Sequence, residues 1–240
     1  MKFYPILFNS PNVRAILANR KTQTRRVKGL KKINQDPERY MIWGVKDNGY
    51  SSVDDLDDLS ESEIKAPYGL PGDVLWVREA FHLDKNNEPF YRKQETHHTV
   101  TYRADHFHRD IRLPKTPNNE DLCEEGWFDP EYPEKPIWKP SIHMPKTACR
   151  IFLKVNSVRI ERLTEISEGD SSKEGIKMRV GITKPQESFY QKPNCPNRYA
   201  TAKQAFKSLW ISIHKKDSWE HNPWVWVYNF ERIEKPKNFI

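Results

Sequence analysis

The chain has 240 residues, of which 36% are hydrophobic and 30% are charged. A chain of this length can bury the core of one large domain or two small ones, and its eight tryptophans argue against intrinsic disorder. No apolar run approaches the ~18 residues of a membrane-spanning helix, and the first residues lack the apolar segment of a secretory signal. We therefore expect neither a membrane protein nor a secreted one.

Strand and helix signals follow one another in the first residues. Residues 3–8 are a short apolar run that includes a proline, which is typical of an edge strand. Ser10 and Pro11 are a typical N-cap and first helical residue, and the helix that they begin is expected to end near Asn19. Residues 22–27 have the alternating, β-branched pattern of a strand.

Later elements are predicted from apolar periodicity and from helix caps. Residues 167–174 form a short helix that Ser167 caps and Gly175 ends, and residues 202–213 have the clearest amphipathic helical pattern. Further strands are predicted at 74–77, 99–102, 149–163 and 223–230. Residues 84–97 have the composition of a loop.

Strands outnumber helices in this order, and the helices are short. The pattern predicts an α+β fold: a small, mostly antiparallel β-barrel with short flanking helices and long loop insertions. We expect a single domain over residues 1–240, with insertions at about 28–66, 104–136 and 178–200.

No pattern indicates a cofactor or a metal. The nine glycines are scattered and form no phosphate-binding loop. The histidine pairs 97–98 and 106/108 fall in predicted loops without a supporting carboxylate, and Cys123, Cys149 and Cys195 lack zinc-site spacing. We therefore expect no metal and no cofactor, and the sparse cysteines favour a reducing, cytoplasmic location.

Charge is unevenly distributed, with a net charge of +7. Residues 1–32 hold nine Lys or Arg and no acid, and residues 137–163 hold six bases and one acid, Glu161. Residues 54–63 and 120–134 hold six and seven acids without a base. We expect the two basic blocks to form one positive face for nucleic acid, and a solvated surface with random charge blocks is the alternative.

One basic segment carries candidate chemistry. On the strand predicted at 22–27, Gln23 and Arg25 share one face, and Thr24 and Arg26 share the other with Thr22.

Lys21 lies where the first helix meets this strand. Its neighbours Arg20, Arg25 and Arg26 disfavour its charge, so Lys21 could act as a base toward the Thr24 hydroxyl. Spacing alone favours the alternative of a basic strand that only contacts phosphates.

These residues resemble the ASCH domain family, whose barrel is related to the PUA fold. The family pattern Gly-x-Lys-x-x-Thr/Glu-x-Arg corresponds to Asn19, Lys21, Thr24 and Arg26, with Asn in place of Gly. Glu174, at the end of the short helix, falls on the family's acidic position. Within the family, the chain most resembles a phage and prophage branch. The resemblance is carried by the sequence segments 25–26, 71–73, 75–79, 140–145 and 222–226.

The resemblance implies a PUA-like barrel that binds a nucleoside or RNA in a cleft. Some small family members are amidohydrolases that remove the acetyl group of N4-acetylcytidine, and their catalytic Lys, Thr and Glu fall on Lys21, Thr24 and Glu174. The resemblance also implies that the protein is located in the cytoplasm of a bacterium or of a phage-infected host.

Further residues are expected to bind a nucleoside, RNA or DNA. They are Arg20, Arg25, Arg26, Arg78, Glu79, Ser141 and His143. For Arg78 and Glu79 we favour an ion pair at a strand end, and His143 is equally well explained by a structural bond to the backbone.

The leading interpretation is therefore an ASCH-type hydrolase acting on N4-acylated cytidine. The alternatives are a non-catalytic RNA- or DNA-binding module, a ribonuclease, and a phage protein that binds a host protein through its insertions. The sequence does not distinguish between oligomeric states.

Overall fold

The structure is a computed structural model, and it describes residues 1–85, 95–114, 128–129, 132–136, 138–180 and 188–239. The fold is α+β, with sheets that are mostly antiparallel and with few helices. No helix within these ranges is long and apolar enough to cross a membrane. Cys123 lies outside the described residues.

The largest sheet has five strands in the order β1-β6-β12-β15-β2. Its strands are β1 (Phe3–Leu7), β2 (Gln23–Arg26), β6 (Val74–Arg78), β12 (Phe152–Arg162) and β15 (Trp224–Ile233). β15 pairs antiparallel with β2, and Tyr228 lies opposite Thr24. β6 and the first half of β15 are almost continuously apolar and are buried, as expected for strands covered on both faces.

The chain divides into two compact units. The first consists of Met1–Tyr4, Ala15–Leu75 and Leu153–Glu234, and the second of Pro5–Arg14, Trp76–Phe152 and Lys235–Ile240.

The first unit contains two smaller antiparallel sheets. One is formed by β3 (Tyr40–Ile42), β4 (Tyr50–Asp55) and β5 (Glu61–Lys65), and the other by β13 (Lys177–Val180) and β14 (Ser188–Gln191). The helix α2 (Glu168–Lys173) precedes β13, and α3 (Ala202–His214) follows β14. Phe206 and Trp210 of α3 pack with Leu163 and Val227 in a buried apolar cluster, which fixes this helix on its amphipathic face.

The second unit is built around an antiparallel sheet. Its strands are β7 (Phe81–Lys85), β8 (Glu95–Tyr102) and β9 (His108–Pro114), with a separate pair β10 (Phe128–Asp129) and β11 (Tyr132–Pro136). The helix α1 (Ser10–Leu17) begins in this unit and ends in the first. Near the C-terminus, the Phe239 ring packs on Phe152 and Trp76.

Most predicted elements are confirmed. The strands and helices expected at 3–8, 22–27, 74–77, 99–102, 149–163, 167–174, 202–213 and 223–230 are present, with ends shifted by a few residues. Two predictions of irregular structure were wrong, because residues 81–85 and 95–98 belong to strands, and residues 178–200 include most of the β13–β14 hairpin. His98 and His108 therefore lie in strands and not in loops.

The barrel is the part of the fold prediction that stays a prediction. Among the described residues, none of the sheets closes into a barrel. The segments predicted as insertions carry regular structure, since residues 28–66 include the β3–β5 sheet. The single-domain assignment also stays a prediction.

Candidate active site

Strand β2 holds its polar side chains in the interior of the first unit. Gln23, Thr24 and Arg25 are all buried. Arg25 Nη1 donates to Gln23 Oε1 at 2.6 Å, as expected for side chains two residues apart on one face of a strand. Thr24 is on the opposite face by the same alternation, opposite Tyr228 of β15.

Lys21 and Glu174 meet directly although 153 residues separate them. The Lys21 ammonium donates to Glu174 Oε2 at 2.5 Å and to the Glu174 backbone carbonyl at 3.1 Å, and both side chains are buried. A backbone bridge between the same two residues fixes this contact. Lys21 and Glu174, two of the three residues predicted to be catalytic, are thus in contact.

Local structure at the end of α2 brings Glu174 to this position. Ser167 caps the helix by accepting from the Asp170 N–H, and Glu174 is the C-terminal cap. Gly175 follows in the left-handed region at φ +96, and a Cβ there would lie 3.1 Å from Ala15 Cβ and 3.4 Å from Lys21 Cβ. Only glycine permits both this turn and this close approach.

Arg25 shares the Glu174 carboxylate with Lys21. Its Nη1 lies 3.0 Å from Glu174 Oε1, while Lys21 holds the other oxygen. On its far side, Arg25 Nη2 donates to Glu161 Oε1 at 2.6 Å. One carboxylate therefore binds two buried cations.

A ring of hydrogen bonds extends from Arg25. Glu161 accepts from Arg159 at 2.8 Å, and Arg159 donates to Asp170 at 2.6 Å. Asp170 accepts from Gln23 at 3.2 Å, and Gln23 in turn accepts from Arg25, which closes the ring. Such a closed network holds Arg25, and through it Glu174, in one orientation.

The environment disfavours the charged form of Lys21. Burial is the largest cause of its lowered pKa, the nearby Arg26 and Arg25 lower the pKa further, and Glu174 opposes both effects. Burial also lowers the pKa of Arg26. A lysine with a lowered pKa loses its proton more readily, and a carboxylate in contact with it can relay that proton.

The border of this cluster is only partly covered. Thr22 and Arg26 are half-buried. The half-buried His214 at the end of α3 stacks on Trp210 with ring centroids 4.0 Å apart, and burial followed by the charge of Arg26 lowers its pKa. Sequence analysis did not identify His214, although it lies on the best-predicted helix.

Glu161 and Asp170 were also missed. Glu161 is the one acid in the basic block at 137–163, and this isolation was a visible signal that it has an internal role. Asp170 was hidden because acids in the first turn of a helix are common.

The other predicted binding residues have structural contacts. Arg20 donates to the Gly175 carbonyl at 3.3 Å. In the second unit, Arg78 donates to the Ile142 carbonyl and lies over the Trp76 ring. Ser141 and His143 form one short helical turn, with Ser141 half-buried and His143 exposed.

Glu79 forms an ion pair, but Arg78 is not the partner that the structure shows. Arg150 holds Glu79 through two bonds of 2.8 and 2.9 Å and also binds Asp105. Arg150 lies over the Tyr102 ring as well, at 4.0 Å. The expected pair between neighbours is therefore replaced by a long-range cluster in the second unit.

The residues predicted to bind substrate thus lie in both units. Those in the first unit are Lys21, Thr24, Glu174, Arg20, Arg25 and Arg26, and those in the second are Arg78, Glu79, Ser141 and His143. Within the described residues, no group of three or more His, Cys, Asp or Glu is arranged to hold a metal ion. Comparison with known proteins finds no matching family model, no similar curated protein and no similar solved structure.

Proposed function

We propose that the chain is an ASCH-type hydrolase that cleaves an amide on a modified cytosine nucleoside. The observation that carries this proposal is the buried contact of Lys21 Nζ with Glu174 Oε2 at 2.5 Å, with Arg25 on the other carboxylate oxygen. The same carboxylate also binds Arg25, and burial lowers the pKa of Lys21, an arrangement typical of functional sites.

The proposed reaction is hydrolysis of the N4-acyl group. In its neutral form, Lys21 takes a proton from a water molecule or from the Thr24 hydroxyl, and the oxygen that loses the proton attacks the acyl carbon. When Thr24 attacks, a water molecule then hydrolyses the acyl ester on Thr24, which releases the acid and restores the hydroxyl. Glu174 orients Lys21 and passes the proton to the cytosine N4 atom as the C–N bond breaks. Arg26 and backbone N–H groups stabilise the oxyanion of the tetrahedral intermediate.

Release of acetate from N4-acetylcytidine, free or within RNA, tests this proposal. Lys21→Ala should lower turnover by roughly 10²–10⁴-fold, because a placed base contributes about that much, while substrate binding is largely kept. Thr24→Val changes almost no volume and should lower turnover as well if the hydroxyl takes part.

Lys154→Ala is the matched control, because it removes an exposed lysine that pairs with Glu231. Its turnover should equal that of the wild type. Thermal unfolding of each variant distinguishes lost chemistry from lost folding. A wild type that binds nucleic acid but releases no acetate from either substrate would refute the hydrolase.

A second candidate is a nucleic-acid-binding module without catalysis. Exposed bases directly follow β2 and favour it: Lys28, Lys31 and Lys32. For such a module, Lys28→Ala should weaken binding modestly and equally for all sequences, since it removes one exposed phosphate contact. Lys21 is buried against Glu174, so Lys21→Ala removes no exposed cation.

A further inference from the structure

The sheet of β3, β4 and β5 exposes a face that the proposed chemistry does not use. The register places Met41 opposite Asp54, and Trp43 donates its backbone N–H to Ser52. Because side chains alternate, these four residues share one face, and Leu56 extends it beside Arg39. We call this face the outer face; its residues are Met41, Trp43, Tyr50, Ser52, Asp54, Leu56, Glu61, Glu63 and Lys65.

Apolar side chains on the outer face are exposed to an unusual degree. The exposed fraction is 53% for Trp43, 43% for Met41 and 49% for Leu56. On the opposite face of β4, Ser51, Val53 and Asp55 are buried. The sheet already has a covered side, so the apolar residues of the outer face add nothing to the core of this unit.

The indole of Trp43 is also held in place. Its Nε1 donates to Asp54 Oδ2 at 2.7 Å. An ordered, exposed aromatic ring loses little conformational freedom on binding, which is typical of residues that dominate protein interfaces.

Carboxylates lie on the outer face between β5 and the apolar side chains of Met41, Trp43 and Leu56. Asp54 lies opposite Glu61 and Ser52 lies opposite Glu63, so the three acids form a row on the same face. Glu61 and Glu63 are exposed, and β5 is an edge strand of this sheet. Glu63 also accepts from Lys46 at 2.8 Å, in an ion pair that is half exposed. Apolar contact area therefore lies directly beside negative charge.

The turn that joins β4 to β5 presents a further apolar side chain. Leu59 is 85% exposed and has φ +56, a left-handed conformation that leucine rarely adopts. The unit itself gains no burial from a leucine held in this way.

We propose that the outer face docks a protein partner through an extended segment that alternates lysine or arginine with apolar side chains. Apolar side chains of the partner cover Trp43, Met41 and Leu56, and its cations meet the row of carboxylates. This proposal is independent of the hydrolase.

Charge argues against the other occupants. Asp54 and Glu61 would repel the phosphates of a nucleic acid, and the acids of the outer face outnumber its one lysine, Lys65. A second copy docked about a twofold axis would bring two identical rows of acids together, which is also unfavourable.

Fluorescence anisotropy of labelled synthetic peptides with the full-length chain tests the proposal. A short peptide that alternates lysine with leucine should bind, and its affinity should fall as salt rises. Peptides with serine in place of leucine, or with glutamate in place of lysine, should not bind.

Matched variants locate the site of binding. The double variant Met41→Ser/Trp43→Ser should weaken the lysine–leucine peptide by about tenfold or more, since truncating anchor residues removes most interface energy. Glu61→Lys should also weaken it. Met178→Ser removes an even more exposed methionine, 56% against 43% for Met41, from another strand, β13, and should not change binding.

Several outcomes would overturn the proposal. They are equal binding by the double variant, equal binding of the lysine–serine peptide, and self-association of the wild type that Met41→Ser/Trp43→Ser abolishes. The variants replace exposed side chains, so thermal unfolding like that of the wild type should accompany a loss of binding. Activity on N4-acetylcytidine does not enter this test.

Discussion

At the scale of single residues, the Glu174 carboxylate decides what Lys21 can do. Lys21 and Arg25 each hold one of its oxygens, and the positive charge of Arg26 also acts on Lys21. Two cations therefore share one carboxylate, with the charge of Arg26 nearby, in an environment that burial already makes unfavourable for charge. Lys21 is the cation that can respond, because an arginine stays protonated and a lysine can lose its proton.

Replacing Arg25 by Gln tests this competition. The Arg25 charge lowers the pKa of Lys21, so Arg25→Gln should raise it. If neutral Lys21 is the base, activity requires its deprotonation, and the acidic limb of kcat/KM should move to higher pH. The variant should also lose about 1–3 kcal/mol of stability, because buried acceptors of Glu161 and Glu174 lose a donor.

The control for Arg25→Gln is Arg159→Gln. Arg159 belongs to the same ring but binds Glu161 and Asp170 and not Glu174. The pH profile of Arg159→Gln should move less than that of Arg25→Gln, because Arg159 reaches Glu174 only through the ring. The pH dependence of Lys21 modification by an amine-reactive reagent gives the same information without catalysis, and a rate profile unmoved by Arg25→Gln would contradict the argument.

Residues near one another in sequence were the predictable part of this site. Lys21, Arg25 and Arg26 are crowded on one short segment, so a perturbed lysine could be inferred directly. Glu174 was identified only through the family resemblance. Glu161 and His214 could not be placed, because their contacts with β2 depend on strand pairing and helix packing over more than a hundred residues.

At the scale of elements, the junction between α1, β2 and α2 positions the site. The N–H groups of Arg20 and Lys21 both donate to the Ala15 carbonyl, and the Thr22 N–H donates to the Lys173 carbonyl. Gly175 permits this close approach. Lys21 and Glu174, two of the three residues predicted to be catalytic, are therefore positioned by backbone contacts as well as by their own ion pair.

Gly175→Ala should disturb this junction. The left-handed φ alone costs about 1–3 kcal/mol for a residue with a Cβ. The new methyl group would also lie 3.1 Å from Ala15 Cβ, which forces α1 and Lys21 away from α2. We expect a lower free energy of unfolding in denaturant titrations, together with reduced turnover.

Gly72→Ala separates strain from crowding. Gly72 has φ +90, close to that of Gly175, but a Cβ there would meet no atom within 4 Å. Both variants should carry the conformational cost, and Gly175→Ala should be the less stable of the two. Equal loss of stability in the two variants would show that the close approach is unimportant.

Elements with a strong periodic pattern were predictable, and polar strands were not. The α3 helix has an apolar stripe and a Thr201 cap, and β12 alternates over most of its length. By contrast, β4 reads Tyr-Ser-Ser-Val-Asp-Asp and β5 reads Glu-Ser-Glu-Ile-Lys, which are poor strand sequences. Their pairing with each other, and not their own propensity, makes them strands.

At the scale of the whole molecule, the basic blocks are less available than the sequence suggests. Arg25, Arg150, Arg159 and Arg162 all bind carboxylates within their own units. Lys21 and Lys154 do the same. The nine and six bases of the two basic blocks therefore overstate the number of cations that can face a nucleic acid. The single positive face stays a prediction, and fewer Lys and Arg side chains are free to form it than the two basic blocks contain.

This internal pairing predicts a shallow salt dependence of nucleic-acid binding. Lys28, Lys31 and Lys32 are the exposed bases next to β2. Each neutralised phosphate of duplex DNA contributes about −0.9 to the slope of log K against log salt, so three contacts give a slope of about −3.

Titration of a short DNA duplex at several salt concentrations measures this slope. Replacing all three lysines by Gln should bring the slope close to zero, whereas Lys235→Gln/Lys237→Gln, which alters two exposed lysines near the C-terminus, should leave it unchanged. A slope twice as steep would mean that the paired arginines leave their carboxylates to bind phosphate.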